Sequence, residues 1–231
     1  MINKSLAKII LGMGLAAGTV SGMSGCFMPD CSSVMEARSV YMERIDRKRG
    51  GIVAIEGFQG LTGLSGCRCT TVGATFAKKY DKALSASSGD WGGHIPFVGE
   101  ISKYNGDLTF IGFSAGCQEV RQLAEYCKEN YPQLKIKLIF MDATFVGNLG
   151  AEQTSKIPDN VYEVVSIRGQ DGFWGGFHDL TSGYLENPNK TKLEINVLEK
   201  KSLDDLVEHL NVPEREETLE IIDQEFKEIQ R

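Results

Sequence analysis

Four short, nearly uninterrupted apolar runs constrain this chain most: Gly51-Ile52-Val53-Ala54-Ile55, Leu108-Thr109-Phe110-Ile111, Ile136-Lys137-Leu138-Ile139-Phe140-Met141 and Val161 to Ile167. Runs of this length without polar alternation read as strands buried on both faces. Between and after them the apolar residues recur at helical spacing, over Thr71 to Tyr80, Ile95 to Tyr104 and Cys117 to Tyr131. A weaker strand signal covers Ala83 to Ser87, Leu193 to Leu198 is the last strand, and Glu214 to Ile229 is a terminal amphipathic helix. Strands alternating with helices imply a single α/β domain with a mostly parallel central sheet, flanked by helices and joined by right-handed crossovers. Reactive groups in such sheets collect at the carboxyl ends of the strands. No internal repeat or shift of composition marks a second domain.

The first 26 residues read as an export signal rather than as part of this fold. Lys4 and Lys8 precede the apolar, glycine-rich stretch Ile9 to Met23, and Met23-Ser24-Gly25-Cys26 supplies small residues before a cysteine. The stretch is short for a transmembrane helix. The chain is therefore expected to divide into a lipoprotein-type signal peptide at 1–26, an N-terminal linker and helix at 27–50, and the folded domain at 51–231. Cys26 is the expected lipidation site, which places the protein in the cell envelope on a membrane anchor. The net charge of −6 and the absence of a basic cluster argue against a nucleic-acid partner. Acidic residues gather between Glu199 and Glu228, as on a solvated helical face. Of the six cysteines, Cys67 and Cys69 lack the second ligand pair that a zinc site needs, and Cys117 and Cys127 fall inside a helix. Pairing among Cys31, Cys67, Cys69, Cys117 and Cys127 cannot be read from their spacing.

Gly112-Phe113-Ser114-Ala115-Gly116 joins the second of these strands to the helix that begins near Cys117. Strand, G-x-S-x-G and helix together make a nucleophile elbow, in which a sharp turn lifts the serine hydroxyl clear of the chain. Gly112 and Gly116 allow strand and helix to come close on either side. The N–H of Ala115 then lies at a helix N-terminus, where it can stabilise an oxyanion. A second donor is expected from the glycine-rich loop after the first strand, at Phe58 or Gln59. The plainer reading of the pentapeptide is a glycine-bounded turn with a serine near the helix cap.

A serine hydroxyl needs a base, and the chain has three histidines. His94 precedes the nucleophile at a helix start and reads as a capping or packing residue. His178 follows the aromatic loop Gly172 to Phe177. His209 comes after the last strand, where a base would complete the order serine, acid, histidine. Its alternative is a helix-surface histidine near Asp204, Asp205 and Glu208. The acid that orients the base is either Asp142, which closes an apolar strand, or Asp171, which follows the next one. Asp142 could instead cap a turn, and Asp171 could open a β-turn with Gly172.

Taken together, Gly112-Phe113-Ser114-Ala115-Gly116, the strand-end Asp142 and the late His209 resemble the α/β-hydrolase superfamily, particularly its small lipase, esterase and cutinase-like members, over roughly residues 51–229. Met141-Asp142-Ala143-Thr144 is similar to the Leu-Asp-Pro-Ala stretch of pancreatic-type lipases but lacks the proline. The resemblance implies acyl transfer from a carboxylic ester, small-molecule or lipid, to water through a serine ester, with no metal or organic cofactor. The chain departs from the family in having no His-Gly oxyanion motif and no extended aliphatic lid. Two other functions remain open: a non-catalytic envelope lipoprotein that uses a hydrolase scaffold to bind a ligand or partner, and an acyltransferase or peptidase using the same chemistry.

Overall fold

The computed structural model describes residues 49–56, 68–88, 91–143, 156–170, 184–201 and 209–228. Six strands form one sheet: β1 (Gly51–Glu56), β2 (Ala83–Ser88), β3 (Leu108–Phe113), β4 (Ile136–Met141), β5 (Val161–Gly169) and β6 (Lys192–Leu198). All neighbouring pairs are parallel, in the order β2-β1-β3-β4-β5-β6. Among the described residues, four longer helices accompany them: α1 (Arg68–Lys79), α2 (Ile95–Ser102), α3 (Gly116–Asn130) and α4 (Glu216–Glu228). The protein is thus an α/β structure with a fully parallel sheet among its described strands.

Every residue of β1, β3 and β4 is buried, as their unbroken apolar runs require. One face, with Val53, Phe110 and Leu138, packs against Val98 of α2 and Val120 and Leu123 of α3. The other, with Ile52, Ile111 and Ile139, packs against Phe76 of α1 and Ile222 and Phe226 of α4. The ring of Phe226 stacks on Phe76 at 5.5 Å and on Tyr80 at 5.2 Å, which holds the two helices together. Such pairs contribute about 0.5–1.5 kcal/mol each beyond the area they bury.

The chain winds from β1 outward to β2, then returns to place β3 on the other side of β1. The helices that follow β1 and β3 therefore cover opposite faces, on either side of the point where the strand order reverses; in open α/β sheets ligands bind at such a point. Ser114 follows β3 at that switch point.

The expectation of an entirely solvated acidic tail needs correction. Glu225 of α4 is buried against the sheet, where the Lys137 ammonium pairs with it. Lys137 also pairs with Glu163 at 2.6 Å, and Glu163 with Lys192 at 2.6 Å. Burial pushes the Glu163 carboxyl up, but hydrogen bonds from Lys137 and Lys192 outweigh it and hold the carboxyl below its ordinary value. A lysine inside an apolar strand is tolerated because it meets two carboxylates from two other elements.

Replacing Lys137 with Met would leave the Glu225 carboxylate buried without its cation and Glu163 with Lys192 alone, a loss of about 3–5 kcal/mol. Each kcal/mol shifts melting by roughly 2–4 °C in a domain of this size. Thermal unfolding of K137M at neutral pH should therefore fall by on the order of 10 °C. The stability from Glu163 is complete above its unfolded value of 4.5 and is lost as pH falls through the lower folded value. The melting gap between K137M and wild type should accordingly narrow as pH drops below 4.5.

Candidate active site

β3 ends at Phe113, and the next residue, Ser114, adopts φ +54°. A left-handed conformation disfavours any side chain, at a cost of about 1–3 kcal/mol, and concentrates at functional sites. The turn is held from both sides. Ser114 N–H donates to Met141 O of β4 at 3.0 Å, and Cys117 N–H donates back to Ser114 O at 3.1 Å. The glycines leave no room for substitution. A Cβ on Gly112 would lie 2.6 Å from Cys117 Cα, and one on Gly116 would lie 2.2 Å from Ile55 O in β1. Strand and helix approach closely on either side of the elbow, where Ser114 and Ala115 are the partly exposed residues.

Ala115 caps α3, so its N–H belongs to the first turn, where helical N–H groups have no carbonyl partner within the helix. This first turn begins immediately after Ser114, at the carboxyl end of β3.

Asp142 is the residue after β4 and also has a positive φ, +41°. Phe113 pairs with Met141, so Ser114 and Asp142 follow paired residues on adjacent strands. Asp142 N–H donates to Ile167 O of β5 at 2.7 Å, and the residue is 1% exposed. His209 lies in the helical stretch 209–211, just before Val212–Glu214, and is itself buried. Its Nδ1–H donates to Asp142 Oδ2. The imidazole lies against Phe113, ring centroids 4.9 Å apart and planes inclined by 26°. Asp142 Oδ1 is buried without a hydrogen-bond partner among the described residues. A hydrogen bond removed from water in this way is stronger than an exposed one.

The structure thus brings Asp142 and His209 together at the strand end beside Ser114. Asp171 and His178, the other acid and base weighed from the sequence, lie outside the described residues, as do Phe58, Gln59 and Cys26. His209 is not on a solvated helix surface. His94 packs rather than caps: its Nδ1 lies 2.8 Å from Ser85 Oγ and its Nε2 2.7 Å from Ser87 Oγ, and the ring is 1% exposed. Both nitrogens are committed to the neighbouring strand β2.

Cys117 and Cys127 are free thiols, both buried. Burial pushes the Cys117 thiol up, and the nearby Asp142 carboxylate adds to the effect. It stays protonated, with Sγ–H directed to Gly112 O at 3.2 Å, and so supports the elbow rather than competing as a nucleophile. Sequence reasoning passed over this contact and the ring of Phe113, although an aromatic residue next to the serine was visible. No group of three or more metal-ligating side chains occurs among the described residues. No protein-family model matches the chain, and no curated protein matches it.

Ser114→Ala and Ser114→Gly both remove the hydroxyl, but only glycine relieves the left-handed backbone. S114G should melt above S114A by roughly 2–4 °C, corresponding to about 1 kcal/mol. Differential scanning calorimetry of the two variants reads the strain directly.

Proposed function

We propose that this protein is an exported serine hydrolase of the α/β-hydrolase type that cleaves carboxylic esters. The observation that carries the proposal is the buried His209–Asp142 hydrogen bond beside a serine with φ +54° at the adjacent strand end. The parallel sheet, with its switch point between β1 and β3, supports the same reading.

In this mechanism Ser114 Oγ attacks the ester carbonyl carbon as His209 Nε2 takes the hydroxyl proton. The Asp142 carboxylate holds the ring in the tautomer with Nδ1 protonated and stabilises the imidazolium. The carbonyl oxygen becomes an oxyanion against Ala115 N–H, with a second donor from Phe58 or Gln59 in the loop after β1. The tetrahedral intermediate collapses, the C–O bond to the alcohol breaks, and His209 returns its proton to the leaving oxygen. Water then attacks the acyl-serine by the same route, releasing the acid and restoring Ser114. The signal-like residues 1–26 support export, and lipid on Cys26 would hold the enzyme at an envelope membrane.

A fluorophosphonate probe, which phosphonylates activated serines, tests the reading on the purified full chain. Wild type should label, and S114A and H209A should not. D142N should slow labelling by about 10³–10⁴-fold, the scale expected when the base loses its orienting acid. Labelling retained in H209A would move the base to His178. A folded wild type that does not label would favour a ligand-binding lipoprotein on a hydrolase scaffold.

A further inference from the structure

The acid alone does not fix the base. A hydrogen bond at Nδ1 by itself lets an imidazole pivot about that bond and swing Nε2 out of the plane in which it must meet the serine. We infer that Phe113 is the residue that prevents this: its ring is the floor on which His209 rests, making Phe113 a positioning residue for proton transfer. The inference rests on the serine-hydrolase reading of this site.

Phe113 meets the physical requirements of a floor. It is 1% exposed, it ends the buried strand β3, and it packs with Met141 and Val212 in the α1–α4 face of the core. It therefore has little freedom to move. Its centroid separation of 4.9 Å and inclination of 26° from His209 place the two rings nearly face to face. That separation falls within the range of favourable aromatic contacts. A face contact blocks out-of-plane rotation, while the in-plane Asp142 contact blocks rotation within the plane. The negative face of the ring also suits the imidazolium that forms when the proton moves.

The main chain of the base is pinned to the same core. Val212, three residues after His209, is fully buried, and Thr218 Oγ1–H donates to Val212 O at 2.6 Å. Phe113 immediately precedes Ser114, so two consecutive residues, the last of β3 and the one after it, carry the nucleophile and the surface that orients its base. That surface is thereby local to the nucleophile, although the base arrives from the far end of the chain. Misplacing a reacting group by about 1 Å can cost on the order of 100-fold in rate.

The test is a double-mutant cycle in the full chain, with Phe113→Leu placed in wild-type and His209→Ala backgrounds, and Phe113→Met as a second flexible apolar replacement should the first not fold. Turnover of a soluble p-nitrophenyl ester and fluorophosphonate labelling are both followed. In the wild-type background F113L should lower kcat and the labelling rate about 10- to 100-fold with KM unchanged. In the H209A background it should change the residual rate less than about twofold, because the group it positions is gone. The His209 ring-proton resonances should also move downfield in F113L as the aromatic ring current is lost. An equal loss in both backgrounds, or none in either, would overturn the inference. Failure of the underlying reading is distinguishable, because S114A would then retain turnover and labelling, whereas the ring-proton shift reports the stacking contact without reference to activity.

Discussion

The site depends on the close approach of α3 to the sheet at Gly116, where Ile55 O of β1 occupies the space a side chain would need. That approach gives the β3–α3 turn too little room to relax, and Ser114 takes up the difference as a left-handed backbone. The same contact sets the first turn of α3 against the end of β1. Because β1 and β3 are neighbours at the reversal of strand order, their helices diverge to opposite faces. The turn at Ser114 and the start of α3 thus follow from one packing constraint.

The second half of the site comes from far along the chain. Asp142 and His209 are 67 residues apart, and their meeting requires the terminal segment to return across β4. Two kinds of interaction secure that return. Apolar contacts through Val212, Ile222 and Phe226 supply most of the driving force, while the pairing of Glu225 with Lys137 fixes where α4 sits along the strand. Burial alone is non-directional. An ion pair buried on both sides tolerates only a narrow range of positions, because a displaced partner would leave an uncompensated charge.

Where reading the chain succeeded and where it fell short follows from how local each signal is. The apolar runs gave the strands to within about two residues, and the helices matched their spacing, because periodicity is a property of adjacent residues. The elbow was legible for the same reason: Gly112, Ser114 and Gly116 lie within five residues. Lys137 looked like an incidental polar residue in an apolar strand, since its partners Glu163 and Glu225 lie in other elements. Glu225 in turn looked like one more acid on a solvated face. His94 was read as a capping or packing residue, of which packing holds, but Ser85 and Ser87 as its partners were beyond any local pattern.

What the sequence determined by itself was the parallel α/β class, the strained serine turn at the end of a buried strand, and a short set of acids and bases able to serve it. Only the tertiary structure decided that Asp142 receives His209, that His209 is buried rather than solvated, and that Phe113 lies against its ring. The reason is physical: secondary structure and turns are encoded by neighbours along the chain, whereas a hydrogen bond between distant residues exists only once packing has chosen which strand ends and helices share an edge.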